Sequence, residues 1–500
     1  MFRTSDKLAM SHHESYQSPL ETRYASAEMR RIWSSQRKFS LWRRLWLALA
    51  EAQHELGLNV SRTQVDEIRA HLDDIDFDNA AKHEAKLRHD VMAHVHALGD
   101  VAPNARPIIH LGATSQDIVC NGDLLTLRES LTLIAGKMAR VIDALGTFAA
   151  KHRALPTLGF THYQPAQPTT VGKRATLWAY DFVLALEEIE TQIARWKLRG
   201  VKGATGTQAS FLALFNGDAN KVAELDRLFL KNALKHANLP DAPAGSPTNA
   251  RAFASTGQTY PRMYDAHILN ALAAAAAGAH KMCNDIRLLA NRKELEEPFE
   301  KDQIGSSAMA YKRNPMRCER ATGMARFVMS LAQNPLNTLA TQWLERTLDD
   351  SANRRLALAE AFLALDGVLD VLHNVTSGLV VYEKTIHANL MAELPFMASE
   401  NIMLAAVKQG ADRQEAHEVI RRHSQAAAQQ VKSEGGSNDL LDRLRGEKKF
   451  AGIDLDAVLD PIAYIGLAPQ QVDVFVTEVV EPVRKRHVTA IQVKAAGLRV

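Results

Sequence analysis

Three short stretches of the sequence carry residue types able to move protons or hold anions. The first is QIGSSAMAYKRNP, Gln303–Pro315, which interrupts long helical sequence with a glycine, two serines, a lysine–arginine pair and a proline. A serine is a poor base in water; it becomes one only where cations or backbone amides stabilise the alkoxide. Lys312 and Arg313 supply charge and Asn314 an amide, although a solvated linker has the same composition. The second is LGFTHYQPAQPTTVGKR, Leu158–Arg174, where His162 stands in a Pro-rich turn before a long helix. A loop histidine there suits proton transfer, and equally a hydrogen-bonded structural role. The third is KLRHDVMAHVH, Lys86–His96. Its Arg88, His89 and Asp90 are consecutive, so on a continuous helix they fan out rather than share a face, and an ordinary polar helix surface has the same composition. The spacing is not that of a His-Glu-x-x-His zinc site, and no metal is expected.

Two further stretches suit anions. IIHLGATSQD, Ile108–Asp117, ends an apolar approach in His110, Gly112, Thr114 and Ser115 just before a helix. Amides and hydroxyls at such a turn can hold a carboxylate or phosphate, and a plain helix cap uses the same residues. ERTLDDSANRR, Glu345–Arg355, places Arg346, Ser351 and Arg355 near a helix start; two guanidiniums and a hydroxyl suit phosphate, while the Arg/Asp mixture also suits an exposed surface. GVKGATGTQASF, Gly200–Phe211, matches neither a Rossmann nor a P-loop pattern and yields no nucleotide cradle.

The elements that must position these residues are helical. Leu41, Leu45, Leu49 and Ala52 fall on one face of Leu41–Leu58, with Trp42 and Trp46 beside them. One helical stretch is expected over Asp76–Asp100, and long ones at about Asn121–His152, Thr170–Arg199, Pro261–Arg292, Arg317–Leu331 and Asp350–Leu379. Long helices with short connections predict an all-α chain built around a central long-helix bundle. The alanine-rich Ile268–Ala279 reads as a buried helix packed closely on others. Small hairpins are left room in the loops. The expected division is a disordered tail over 1–18, an N-terminal helical domain over 19–114, a central bundle with the catalytic loop over 115–381, and a C-terminal helical domain over 382–500. LPDAPAGSPTNA reads as a flexible surface insertion.

Composition sets the outer bounds. The 500 residues are 46% apolar and carry a formal net charge of +3, which points to neither nucleic acid nor an acidic membrane. No apolar run approaches the ~20 residues of a membrane span. The N-terminus lacks the apolar centre of a secretory signal. The three cysteines, Cys120, Cys283 and Cys318, have no ligand spacing, so a reducing, cytoplasmic setting is expected.

Taken together and in order, RHDVMAHVH, HLGATS, THYQPAQPTTVGKR, VKGATGTQASF, GSSAMAYKRNPMR and ERTLDDSANRR resemble the blocks of the adenylosuccinate lyases, of the fumarase/aspartase superfamily, and most nearly the animal-type branch. The resemblance runs from about Pro19 to Val483. It implies cleavage of adenylosuccinate to AMP and fumarate, and of the succinyl-aminoimidazole carboxamide ribotide (SAICAR) to AICAR and fumarate, in purine nucleotide biosynthesis. It implies no metal or organic cofactor, no nucleic-acid or membrane partner, and a homotetramer whose active sites are each shared between three subunits. By position it makes Ser306 the general base and His162 the general acid, with Glu319 orienting His162. His89, with Arg88 and Asp90, lines the substrate site, and His110 joins the binding set. Thr114 and Ser115 hold the carboxylates of the departing fumarate, and Gln258 the substrate. Arg23, Tyr24, Arg346, Ser351 and Arg355 hold the nucleotide, chiefly its phosphate, and Arg320 belongs to the same set. Lys312 and Asn314 arrive as the loop closes, with Gly305 as hinge. Two other readings are compatible with parts of the pattern: another superfamily lyase, such as one like argininosuccinate lyase, and a non-catalytic helical scaffold derived from one. The Arg/Ser set speaks against the first, and the joint presence of Ser306, His162 and Lys312 against the second. One departure is Ala310, where the family usually has proline; a second is the insertion near Pro240–Asn249.

Overall fold

A computed structural model describes residues 14–239, 251–493 and 498. The Pro240–Asn249 insertion and most of the expected N-terminal tail lie outside the described residues. Five helices make the framework: Ser115–Lys151, Val171–Arg195, Met263–Asn291, Met316–Leu331 and Asp350–Ser377. The first, second, third and fifth pack in a closed ring, and Met316–Leu331 lies against the third and fifth. Their bounds fall within a few residues of those read from the apolar periodicity, except that the first begins six residues early, at Ser115. Ile268, Leu269, Leu272, Ala275, Ala276 and Ala279 are buried, and small side chains let the neighbouring helices close in.

Side-chain caps start several helices. Ser34 accepts from the Arg37 amide, Thr170 from Lys173 and Asp218 from Lys221. The expected single helix over Asp76–Asp100 is two, Phe77–Leu87 and Asp90–Val101. Arg88 closes the first in the left-handed region (φ 54°), its amide donating to the Glu84 carbonyl at 2.8 Å. His89 is extended and caps the second, its Nδ1 taking the Met92 amide at 3.4 Å. The fan of residues expected of a continuous helix is therefore replaced by a corner between two helices.

Pro156–Thr161 and Gln164–Thr170 form an antiparallel hairpin immediately before the second long helix. Glu296 and Leu295 pair with Val380 and Val381 in a second, two-residue ribbon. Residues Ala398–Leu455 have a hydrophobic cluster of their own, whereas Val472, Phe475, Val480 and Val483 return to the main core. Arg484 ties that return to the bundle through Asp143 at 2.6 Å. Among the described residues no single helix is long and apolar enough to cross a membrane.

Candidate active site

At the end of the bundle where helix Ser115–Lys151 begins, the chain enters through a turn held from behind. Trp46 Nε1 donates to His110 Nδ1 at 3.1 Å, and Gln53 Nε2 to the Leu111 carbonyl at 2.9 Å. His110 is in the left-handed region (φ 69°). Burial, with His89 close by, lowers its pKa to about 4, so the ring is neutral and carries its proton on Nε2, the nitrogen Trp46 leaves free. Thr114 caps the helix, its amide donating to Asp117 Oδ2 at 2.8 Å. The corner at Arg88–Asp90 meets this helix start: Ser115 Oγ lies 3.4 Å from His89 Nε2. Arg355 Nη2 reaches Asp90 Oδ2 at 2.7 Å. Burial raises the Asp90 carboxyl pKa, but the Val91 amide and Arg355 outweigh it and the net shift is downward.

Ser351 and Arg355 are one turn apart on helix Asp350–Ser377 and share a face. Arg346 stands just before them. Its Nη1 donates to Gln258 Oε1 at 3.0 Å, and the Gln116 amide oxygen, oriented to satisfy it, is 2.8 Å from the same nitrogen. The structure thus brings together His89, Asp90, His110, Thr114, Ser115, Gln258, Arg346, Ser351 and Arg355, with Arg88 exposed and adjacent to His89 in the chain. Within the set, Arg355 is open to a ligand, its side chain 59% exposed, while that of Arg346 is only 13% exposed. Sequence reasoning missed Gln116 and Lys38. Lys38 lies 4.9 Å over the Trp42 ring; burial lowers its pKa, and nearby Arg355 adds to this. At the sequence level each is an unremarkable polar residue near a helix start.

The remaining candidates sit elsewhere in the chain. His162 and Tyr163 are the two-residue tip of the hairpin, between the paired Thr161 and Gln164. Both have positive φ, 51° and 56°, as a type I′ turn requires. Asn-Gly is the usual choice there; a non-glycine residue in that region costs about 1–2 kcal/mol. Both tip residues are exposed, and the strand below is clasped by Arg292, 4.8 Å over the Phe160 ring. The loop Glu296–Pro315 leaves the same end of the bundle. Arg317 fixes its foot through Glu300 at 2.6 Å and Asn374 at 2.9 Å, and the Glu297 carboxylate takes the Arg317 and Cys318 amides at 2.9 Å each. Ser306 Oγ accepts from the Met309 amide at 3.1 Å and from Ala308 at 3.3 Å. Asn314 Nδ2 donates to the Gly305 carbonyl at 2.7 Å and so faces inward, whereas Lys312 and Arg313 are exposed, Arg313 lying 3.6 Å from Glu296. Gly305 is buried where a Cβ would stand 2.2 Å from the Lys312 carbonyl. Its positive-φ freedom is not used; what the loop needs from it is close approach of the backbone. Glu319 lies 3.7 Å from Arg287.

Arg23, Tyr24 and Arg320 form a third group. They line a cavity of about 320 Å³ with Gly367 and Asp370. Ser26, two residues on, is held by Asp366, which takes its amide at 2.6 Å and is paired with the buried Lys137 at 2.6 Å.

Helix length separates these groups. Ser115 and Lys151 are 36 residues apart in one helix, a span of about 54 Å at 1.5 Å per residue. The hairpin starts five residues beyond the far end, and its arms reach only about 20 Å. His162 therefore cannot approach Thr114 and Ser115 of its own chain. Likewise Arg355 and Asn374, at the foot of the Ser306 loop, are about 28 Å apart along one helix. No group of three or more His, Cys, Asp or Glu side chains able to hold a metal occurs among the described residues.

A ring of long helices with the Thr114–Ser115 helix start at one end and an exposed histidine hairpin and serine loop at the other is the architecture of the fumarase/aspartase lyases, the class that comparison with known proteins shows. Residues 22–330 match the family described as Lyase, and residues 395–475 match the adenylosuccinate lyase C-terminus. Two solved structures share the fold at 24% identity: a fumarate lyase from Mesorhizobium sp. BNC1 (TM-score 0.74, covering 91% of this chain and 98% of that one) and the 3-carboxy-cis,cis-muconate lactonizing enzyme of Pseudomonas putida (TM-score 0.75, 94% and 99%). Adenylosuccinate lyase of Schizosaccharomyces pombe is 50% identical over 94% of this chain and 95% of its own length; that of Saccharomyces cerevisiae is 49% identical over 93% and 95%, and that of Schistosoma mansoni 47% over 95% and 96%. The chain belongs to the adenylosuccinate lyase family.

Proposed function

We propose that this enzyme removes fumarate by β-elimination from adenylosuccinate, giving AMP, and from SAICAR, giving AICAR, with Ser306 as base and His162 as acid. The proton to be removed lies beside a carboxylate and is very weakly acidic. The base must be strong, and the charge spreading onto the carboxylate must meet fixed donors. Thr114 and Ser115, at the positive end of a 37-residue helix, are such donors. The Ala308 and Met309 amides that point at Ser306 Oγ stabilise its alkoxide, a reason within the loop for Ser306 rather than Ser307 to act; Lys312 adds charge on closure. Ser306 takes the carbon-bound proton, the electron pair passes through the carboxylate and back to expel the amine, and His162 protonates the departing nitrogen. Arg355 and Ser351 take the nucleotide part, together with Arg23, Tyr24 and Arg320 of another copy, and Glu319 orients His162 across the same assembly.

The observation that carries this reading is the separation of His162 from Thr114 and Ser115 along one unbroken helix. A site holding both must draw on more than one chain, in keeping with a homotetramer whose sites are shared between three subunits. Thr114 with His89 and Arg355, the hairpin tip, and the loop with the Arg23 cavity are the three contributions. The chain is read as working in the cytoplasm, with an N-terminal domain to residue 114, a catalytic bundle to 381 and a C-terminal domain beyond. Fumarate release from adenylosuccinate, followed by absorbance, tests it. Ser306→Ala and His162→Ala should each lower turnover at least ~100-fold, and either one retaining turnover near wild type overturns the assignment.

A further inference from the structure

The block Gly200–Phe211 has no task in the mechanism above, yet its first residues sit in the most heavily buried polar cluster near the site. Asp117, Asn121 and Arg199 are fully buried, and Asp226 and Lys202 nearly so. Asp117 Oδ1 takes the Arg199 guanidinium through Nη1, the Lys202 amide at 2.8 Å and the Gly203 amide at 3.1 Å, while its Oδ2 holds the Thr114 amide. Arg199 Nη2 donates to the carbonyls of Gly203 at 2.8 Å and Gly257 at 2.9 Å. One turn along the helix, Asn121 Oδ1 receives the Arg199 and Gly200 amides at 2.8 and 3.1 Å. Asp226 closes the far side, taking the Val201 amide at 2.8 Å and Lys202 Nζ at 2.5 Å.

A buried ion pair is weak as a source of stability, because apolar residues of equal volume do as well. What this pair does is join segments. Thr114 hangs from Asp117, and Gly257 hangs from Arg199. Gly206, at φ +86°, lies so close to residues 256–257 that a Cβ would stand 1.8 Å from the Thr256 carbonyl. Gly257 is pressed in turn on Glu345, its Cβ position 2.8 Å from that carbonyl, and the Gln258 amide donates to the same oxygen at 3.3 Å. The line runs from Thr114 through Asp117, Arg199 and Gly257 to Gln258 and Arg346.

We propose that Asp117 and Arg199 are positioning residues that fix the distance between the carboxylate-binding Thr114–Ser115 and the Gln258–Arg346 part of the nucleotide site. The assignment of those two ends rests on the function proposed above. Neither residue touches substrate; their effect is on how well both ends of one ligand are met at once. Asp117→Asn keeps the shape but removes the charge facing Arg199 and leaves one acceptor oxygen for the two sides that Asp117 serves, Thr114 on one and Arg199, Lys202 and Gly203 on the other. Arg199→Lys keeps a charge but cannot bond Asp117 and two carbonyls in one plane. Gly206→Ala strains the same line without disturbing a buried charge.

The experiment measures KM and kcat for adenylosuccinate, calorimetric Kd for AMP, and thermal midpoint. In folded Asp117→Asn and in Gly206→Ala, kcat/KM for adenylosuccinate should fall about tenfold or more, while Kd for AMP, which carries only the nucleotide end, stays within about threefold of wild type. Arg199→Lys should fall between wild type and Arg199→Met. A purely structural pair would lower the midpoint and leave kcat/KM alone, and that result overturns the proposal, as does a rise in Kd for AMP as large as the fall in kcat/KM, which would place the damage within the nucleotide end. Should Asp117→Asn not fold, Gly206→Ala decides the matter alone. Wild-type protein that binds AMP but releases no fumarate defeats the catalytic reading, while calorimetric Kd for adenylosuccinate set against that for AMP in the same variants still decides this one.

Discussion

At the end of the bundle where Thr114 lies, the polar groups behind the site are sunk in the core. Asp117 and Arg199 are fully buried, and Arg354 is clasped by Asp265, Asp123 and Tyr260. At the other end His162, Ser307, Tyr311 and Lys312 stand in solvent. Donors that must already point at a carboxylate when it arrives gain from a rigid backing, because no reorganisation is then needed during the reaction. In the assembly proposed above, the acid and base need no such backing within one chain, because other copies complete their surroundings. The strained hairpin tip belongs with this exposed end. A His-Tyr pair in a turn that favours Asn-Gly is a local cost, of the kind that clusters where function over-determines the backbone.

The sharpest way to break this comparison is to mix chains. If Ser306 and His162 of one working site come from different copies, Ser306→Ala and His162→Ala chains unfolded, mixed and refolded together should regain activity. With random assembly, roughly a quarter of the sites draw both intact residues, about 25-fold above parents held near 1%. Activity staying at the parental level in mixed oligomers would mean that both residues act from the same chain, and the division of the site between copies would have to be redrawn.

The rigid end also makes a claim about acid. Burial and His89 hold His110 down to about 4; burial, Arg43 and Lys38 do the same for His94, with Asp90 opposing. Both rings are neutral when folded and recover an ordinary pKa near 6.5 when unfolded. Between pH 6.5 and 4 the unfolded chain binds more protons, so stability is intact above that window and falls as pH drops through it, by up to about 1.4 kcal/mol per pH unit for each ring. The carboxyl of Asp73, held down to about 2 by Arg44, gives up its stabilisation only below that range. Denaturant midpoints from pH 7 to 4.5 measure the slope, and His94→Gln should reduce it. An unchanged slope in that variant would place the acid sensitivity outside this end.

What could be read from the sequence divides along the same line. The long helices are legible because an apolar face repeats through each, and the alanine run of Ile268–Ala279 could pack only as a buried helix. The candidate residues were reachable as types in order, but their grouping was not. Arg88 ends a helix in the left-handed region with no glycine to mark it, so Asp76–Asp100 reads as continuous. Asp117 looks like an ordinary first-turn acid, and its true partner, Arg199, is 82 positions away. Arg346 and Arg355 are alike in the sequence; only the neighbouring Gln116 and Gln258 hold one of them, largely covered, in place and leave the other open. The separation of His162 from Thr114 was implicit in helix length, once the helix was known to run unbroken from Ser115 to Lys151.

The smallest effect tests the exposed end. Lys312 donates its amide to the Met309 carbonyl at 3.0 Å, closing a turn in which Ala310 is the second residue. That is the position where proline is favoured, because its ring presets the required φ. The Ala310 amide donates to no group among the described residues, so Ala310→Pro forfeits no hydrogen bond. The gain comes from the open loop, which has fewer states to lose on closure, and is about 0.4–1 kcal/mol. If closure limits turnover, kcat/KM rises about two- to fivefold, and limited proteolysis within residues 303–315 slows by a similar factor. Unchanged proteolysis and turnover would mean that the order of this loop is set by its foot at Glu297, Arg313 and Arg317. Slower proteolysis with unchanged turnover would separate the two quantities: proline would have ordered the loop, and a step other than closure would limit the rate.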